Sequence, residues 1–174
     1  MNTVKKSAAV LLAACLLPLT AGADTGMVFT GNLVVPLCTV NNNTQVTVPF
    51  GDVEIQTLVA ANTAYQLREV TIPIVCPYTS GTPRLTVTTS SAHNATQGVL
   101  QTSKYNEGLV VYLRQKDGTT PLPLGTETTV TSSVTGTGTA RTLTLKAGIG
   151  RINNLDMLTP GEFTASSTLQ VRYL

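Results

Sequence analysis

The chain has no tryptophan, only three phenylalanines, and a single histidine, His93. Few rings leave little to build a platform on which sugars could stack. His93 stands in Ser90-Ser91-Ala92-His93-Asn94-Ala95-Thr96, a polar loop, where it reads as a surface residue and not as the base of a serine nucleophile. The acids Asp52, Glu54, Glu69, Glu107, Asp117, Glu127, Asp156 and Glu162 are scattered, and no two form a pair suited to carboxylate catalysis. Cysteine is scarce, and its spacing to His93 matches no short metal-ligand pattern. Gly136-Thr137-Gly138 has no following lysine and reads as a turn, not a phosphate loop. These shortages argue against an enzyme and against any cofactor or metal. Charge is scarce as well, at 11% of residues. The formal balance of +2 includes Lys5 and Lys6; without them nine basic residues face nine acidic ones. No basic footprint for nucleic acid or an anionic membrane remains.

What is present begins with an export segment. Lys5 and Lys6 precede the apolar run Ala8–Leu17, and Ala21-Gly22-Ala23 offers a small-residue cleavage site, with cutting after Gly22 as the alternative. Residues 1–23 are therefore expected to be removed, giving a mature start at Asp24. The apolar run is too short to span a bilayer. Leu12-Ala13-Ala14-Cys15 could mark lipid attachment at Cys15, but the apolar run continues through Leu16, Leu17 and Leu19, which favours cleavage at Ala23. The mature chain keeps Cys38 and Cys76, an even number in an exported protein, and a disulfide is the expected state; two buried thiols are the alternative. Such a bridge contributes about 3–4 kcal/mol on the chain-entropy account.

Threonine, valine, leucine and glycine dominate, which favours strands. Turn signals punctuate short alternating runs, and no stretch has a helical period. Candidate strands are Leu33–Val40, Val46–Phe50 with Val53–Ile55, Glu69–Cys76, Leu85–Thr89, Gly108–Gln115, Thr128–Val134 and Arg141–Lys146. Val70, Ile72, Ile74 and Cys76 share one face, with Pro73 opposite as the sign of an edge or bulge. Asn41-Asn42-Asn43 is a turn, and Gly148–Pro160 is expected to be a loop. The glycosylation-type triplets Asn42-Asn43-Thr44 and Asn94-Ala95-Thr96 are read as turns. The pattern is an all-β sandwich of six or seven strands. A true immunoglobulin domain would place a tryptophan between its cysteines, so the build is Ig-like at most.

Two stretches frame this sandwich. At the C-terminus Phe163, Ala165, Leu169, Val171 and Tyr173 alternate with polar residues, and the strand stops at Leu174. Near the N-terminus Met27, Phe29, Gly31 and Leu33 fall on one parity.

The ordered set of motifs resembles bacterial chaperone–usher pilus subunits. The resemblance rests on Val28-Phe29-Thr30-Gly31-Asn32-Leu33, Pro36-Leu37-Cys38-Thr39-Val40-Asn41-Asn42, Val46–Val53, and Cys76-Pro77-Tyr78-Thr79-Ser80-Gly81. It also rests on Gly161, fourteenth from the end, and penultimate Tyr173. It covers nearly all of the mature chain and is nearest to the tip adaptors of P-type pili. Leu37 departs from the family, which often has proline or a small residue there.

The resemblance implies an incomplete Ig-like sandwich lacking its final strand. Residues 24–35 would be a donor-strand extension and 36–174 the pilin domain. Gly161, Phe163, Ala165, Leu169, Val171, Tyr173 and Leu174 would border a groove, held first by a periplasmic chaperone and filled at the outer-membrane usher by the next subunit's strand. Met27, Phe29, Gly31 and Leu33 would enter a neighbour's groove. The implied product is a cell-surface pilus joined to an adhesin. A major rod pilin is one alternative, and a secreted carbohydrate-binding sandwich is another from a different class.

Overall fold

Alternation of apolar and polar residues, with β-branched side chains and no helical period, produces strands throughout a computed structural model that describes residues 25–174. The expected export segment, with Cys15, lies outside the described residues. Two compact units are distinguished, one ending at Leu33 and one spanning Val34–Leu174. In the first, residues 25–33 have no regular secondary structure, and Met27, Phe29 and Leu33 are exposed.

The second unit is all-β, with no α-helix among the described residues. Its strands are β1 (Thr39–Val40), β2 (Tyr65–Val75), β3 (Pro83–Thr88), β4 (Ala92–Asn94), β5 (Val99–Gln101), β6 (Leu109–Gln115), β7 (Glu127–Thr129), β8 (Val134–Thr135), β9 (Ala140–Arg151) and β10 (Thr168–Tyr173). One antiparallel sheet runs β1-β2-β9-β6-β5-β4, with β8 also on β9; the other runs β10-β3-β7. β6 and β8 share one edge of β9, β6 along Leu145–Arg151 and β8 along Thr142–Leu143.

The core lies between the sheets. Ile72 and Ile74 of β2, Val111 of β6, and Leu143, Leu145 and Ile149 of β9 meet Leu85 and Val87 of β3 and Val171 and Tyr173 of β10. Leu58, Leu122, Val130 and Leu158 close it from the loops. A smaller cluster of Val99, Val110 and Tyr112 covers the other face of β5 and β6, so β6 is buried on both sides. Cys38 and Cys76 form a disulfide, 2.06 Å between sulfurs, tying the start of β1 to the end of β2.

Glu69–Cys76 behaves as the alternation predicts, with Ile72, Ile74 and Cys76 buried. Pro73 pairs with Thr142 of β9 on one side, while β1 reaches only Ile74 and Val75 on the other. The proline thus falls where β2 becomes an edge and no amide is needed.

Several boundaries differ from expectation. Ten strands replace six or seven, because β4, β5 and β8 are too short to show a period. His93 lies in the exposed edge strand β4, not in a loop. The strand expected over Leu33–Val40 is reduced to Thr39–Val40, and Val46–Phe50 joins no ladder. Thr128–Val134 is broken by a 3₁₀ turn at Thr131–Ser133.

The segment from Gly148 is not a loop from its start: β9 continues to Arg151. Glycine is needed at Gly150 because Thr63, just ahead of β2, lies over the outer face of β9 at very short range. A Cβ on Gly150 would lie 2.2 Å from the Thr63 carbonyl oxygen and 2.7 Å from the Tyr112 ring. Close backbone approach, not chain reversal, explains Gly150, while Gly148 is crowded chiefly by the Leu67 and Ala64 side chains.

Candidate functional site: an open groove along the C-terminal strand

The C-terminal alternation yields a shorter strand than the sequence suggests. Only Thr168–Tyr173 is laddered, antiparallel to β3 in the register Leu169↔Val87 and Val171↔Leu85. Val171 and Tyr173 point into the core and are fully buried. The preceding stretch, from Gly161 to Ser167, leaves the sheet and follows its margin as an extended strap.

Three contacts on its outer side hold the strap. The Ser103 amide donates to the Thr164 carbonyl at 2.8 Å, and the Thr164 amide donates to Ser103 Oγ at 3.1 Å. Thr89 Oγ1 donates to the Ser166 carbonyl at 3.0 Å. At its root, Glu107 accepts from the Thr159 amide at 2.8 Å, while Lys104 Nζ donates to Glu107 at 2.9 Å and to the Thr159 carbonyl at 2.9 Å. The hydrogen bond from Lys104, followed by the one from the Thr159 amide, lowers the Glu107 carboxyl from about 4.5 to about 2.

Facing the strap is a second border, Gln45–Val53. Among the described residues it makes no backbone–backbone hydrogen bond, and its Phe50 carbonyl is held only by Arg68 Nη2 at 3.1 Å. Val46, Val48, Phe50 and Val53 are partly buried against the core. Upstream, Asn41, Asn42 and Asn43 all have positive φ, at 45°, 50° and 60°, a left-handed turn that asparagine tolerates and that redirects the chain from β1 to this border.

Between the two borders runs a groove of about 1620 Å³. Its floor is core: Ile72, Leu100, Val111, Leu113, Leu145 and Leu158. Strap residues Gly161, Phe163, Ala165 and Leu169 line one wall. The two borders touch at one point, where the Phe50 and Phe163 rings stand 6.0 Å apart, centroid to centroid, tilted by 44°. Past Leu169 the edge of β10 is occupied, since the Cys38 amide donates to the Val171 carbonyl at 2.7 Å. Leu174 is exposed, with its backbone paired to Thr82 in both directions at 2.7 and 3.1 Å.

The expected groove residues thus fall into two groups. Gly161, Phe163, Ala165 and Leu169 line the groove; Val171, Tyr173 and Leu174 do not, because two belong to the core and the third closes onto Thr82. The facing border Gln45–Val53 was read from sequence only as continued extended structure. Its alternating Val46, Val48 and Phe50 were a signal for a half-buried wall, without indicating that its backbone would stay unpaired. The lone histidine gains no partner suited to catalysis: His93 Nδ1 lies 3.0 Å from the Tyr105 hydroxyl on the exposed surface. Among the described residues no cluster of His, Cys, Asp or Glu could hold a metal ion.

A disulfide-stapled β-sandwich, open along one long apolar groove with unpaired backbone on both banks, is the architecture of a pilin. Known proteins agree. Residues 27–174 match the family model described as Fimbrial protein. The chain is 33% identical over 168 residues to the fimbrial protein PrsE of Escherichia coli, covering 94% of each chain. It is 30% identical over 152 residues to the fimbrial adapter PapF of Escherichia coli, covering 87% of this chain and 89% of that one. In structure it is similar to the P pilus rod subunit PapA, with a TM-score of 0.57, 16% identity and coverage of 86% and 100%. Its likeness to the P pilus adaptor subunit PapF has a TM-score of 0.51, 24% identity and coverage of 82% and 100%. The chain belongs to the fimbrial protein family and is a structural subunit of a cell-surface pilus, where it meets adjacent pilus subunits.

Proposed function

We propose that this subunit is joined to its neighbours by exchange of strands, and that it serves as a minor adaptor linking an adhesin to the fibre. The observation that carries the reading is the groove itself. The wall formed by the strap and Leu169 runs from Gly161 to Leu169, nine residues, which is about 30 Å of extended chain. Residues 25–33 are a segment of matching length with its large apolar side chains exposed, at 75% for Met27, 85% for Phe29 and 106% for Leu33. An extended apolar segment laid between the banks would supply hydrogen-bond partners to both and cover the core floor. Burying three such side chains contributes roughly 1.5–3 kcal/mol each, opposed by the entropy of ordering the segment. No cofactor or external energy source is required.

On this reading residues 24–35 are the donor extension, and Met27, Phe29, Gly31 and Leu33 enter a neighbour's groove. Gly31 has no positive φ that would demand glycine, so its small size points to a partner with a shallow site there. Residues 36–174 form the pilin domain, whose groove Gly161, Phe163, Ala165 and Leu169 present to an incoming strand. A periplasmic chaperone covers this groove before assembly and delivers the subunit to the usher. The adaptor role is supported by the relatives named fimbrial adapter and minor fimbrial protein, each 30% identical.

Two experiments test this. In the pilus a Gly31→Trp variant is expected to lose most incorporation while folding normally with the chaperone; unchanged incorporation contradicts the assigned strand. Quantitative mass spectrometry of sheared fibres is expected to find this chain at a few copies per fibre, and a chain that dominates the fibre mass contradicts the adaptor role.

A further inference from the structure

We infer that the end of the sandwich from which the extension leaves is a second docking face, pressed against the subunit whose groove receives that extension. This rests on the donor-strand reading and adds a contact to it.

The face is built on the β1–β2 ladder. Thr39 pairs with Val75 and the Cys38–Cys76 disulfide lies one step outward, so Cys38 and Cys76 share the core side. Leu37, Thr39 and Val75 then share the outer side, Leu37 and Val75 as a diagonal pair. Both are exposed, at 50% and 44%. Val34 at 80%, Val35 at 37% and Tyr78 at 45% extend the apolar surface. Charge is sparse around it: residues 25–51 contain no Asp, Glu, Lys or Arg, and neither does Pro77–Pro83. Arg141, beside the Ala140 that pairs with Val75, bonds its own turn at Gly138 and lies over the Tyr173 ring. Apolar side chains with little charge among them are the composition of an interface centre, since few ions must be stripped of water when it closes.

The tether identifies the occupant. Leu33, the last donor residue, is five peptide steps from Cys38, at most about 17 Å of chain. Pro36 lies within those steps and restricts them further. Cys38 is immobilised by its disulfide and by its hydrogen bond to Val171. Seating Leu33 in a groove therefore brings Cys38 to within about 17 Å of that groove's end. That is less than the roughly 35 Å width of a folded domain of this size. The face around Leu37 and Val75 is thus carried against the mouth of the receiving subunit. Its partner is the receiving subunit at the end of that groove, and the joint between subunits becomes a strand plus a collar instead of a free hinge.

Hydroxyl-radical footprinting tests this on the unaltered protein, comparing the chaperone-bound chain with assembled fibres. Oxidation of Leu37, Val75 and Tyr78 is expected to fall at least fivefold on assembly, with exposed His93 as the unchanged reference. If Met27 and Phe29 become protected while Leu37, Val75 and Tyr78 keep their monomer reactivity, the collar is overturned and the donor strand stands. If Met27 and Phe29 also remain reactive, the donor-strand reading falls and the collar with it.

Discussion

At the scale of single residues, most of what holds the groove in shape is small and local. Gly150 is the sharpest case, because the space a side chain would take is already filled by the Thr63 carbonyl and the Tyr112 ring. Gly150→Ala is expected to cost about 1–3 kcal/mol, as overpacked cores do, read as a lowered midpoint of urea unfolding with unchanged slope. Glu107 acts differently. Its carboxyl, held at about 2 by Lys104 and Thr159, binds a proton less readily in the folded chain than in the unfolded one. The stability it provides is complete above about pH 4.5 and is lost as pH falls toward 2. Glu107→Gln is therefore expected to flatten the acid limb of a stability-versus-pH curve in that window, leaving the slope due to Asp117, which its own bonds to Thr120 and Thr119 also lower to about 2, and to Glu127, which the hydrogen bond from Arg172 lowers. An acid limb identical in the variant would show that the Lys104–Glu107–Thr159 cluster does not fasten the strap.

At the scale of elements, legibility followed the number of residues that alternate against a single environment. Val70–Cys76 and Leu109–Leu113 were legible because each puts a long apolar face on the core. The C-terminal strand was only half legible. Its alternation runs from Phe163 to Tyr173 with only Ser167 interrupting the apolar face, yet the same period serves two surroundings: Val171 and Tyr173 pack in the core, and Phe163 and Ala165 line the groove. Periodicity reports that one face is apolar and is silent on whether protein or a partner covers it. Gly148 and Gly150 misled for a related reason, since a glycine that makes room for a neighbouring segment looks, in sequence, like one that turns a chain. The groove's opposite wall shows the same limit, because a strand without a ladder has the sequence of a strand. A consequence can be measured by amide hydrogen exchange. Gln45–Val53, with no backbone partner, is expected to exchange rapidly in the chain alone and to become protected when a strand fills the groove, whereas β2 and β9 stay protected throughout. Strong protection of Gln45–Val53 without a donor would contradict the open-bank description.

At the scale of the whole molecule, the proposed exchange of strands gives the two ends of the sequence complementary parts. Toward the C-terminus lies a groove whose floor is the domain's own core; near the N-terminus lies an apolar segment with exposed side chains. Within each the chemistry is ordinary burial and backbone pairing, and the division between molecules is what makes a fibre. A head-to-tail joint of this kind does not close on itself, so it propagates. Stability of the single subunit is then inseparable from its partner, as with any protein whose core is completed by a ligand. The most direct test is thermal unfolding of the chaperone-free subunit, alone and with saturating peptides that copy the N-terminal extensions of candidate neighbours, its own residues 25–35 included. A marginal fold alone and a rise of roughly 10 °C or more with the matching peptide are expected. A stable, soluble monomer whose melting temperature no such peptide changes would contradict the proposed exchange of strands.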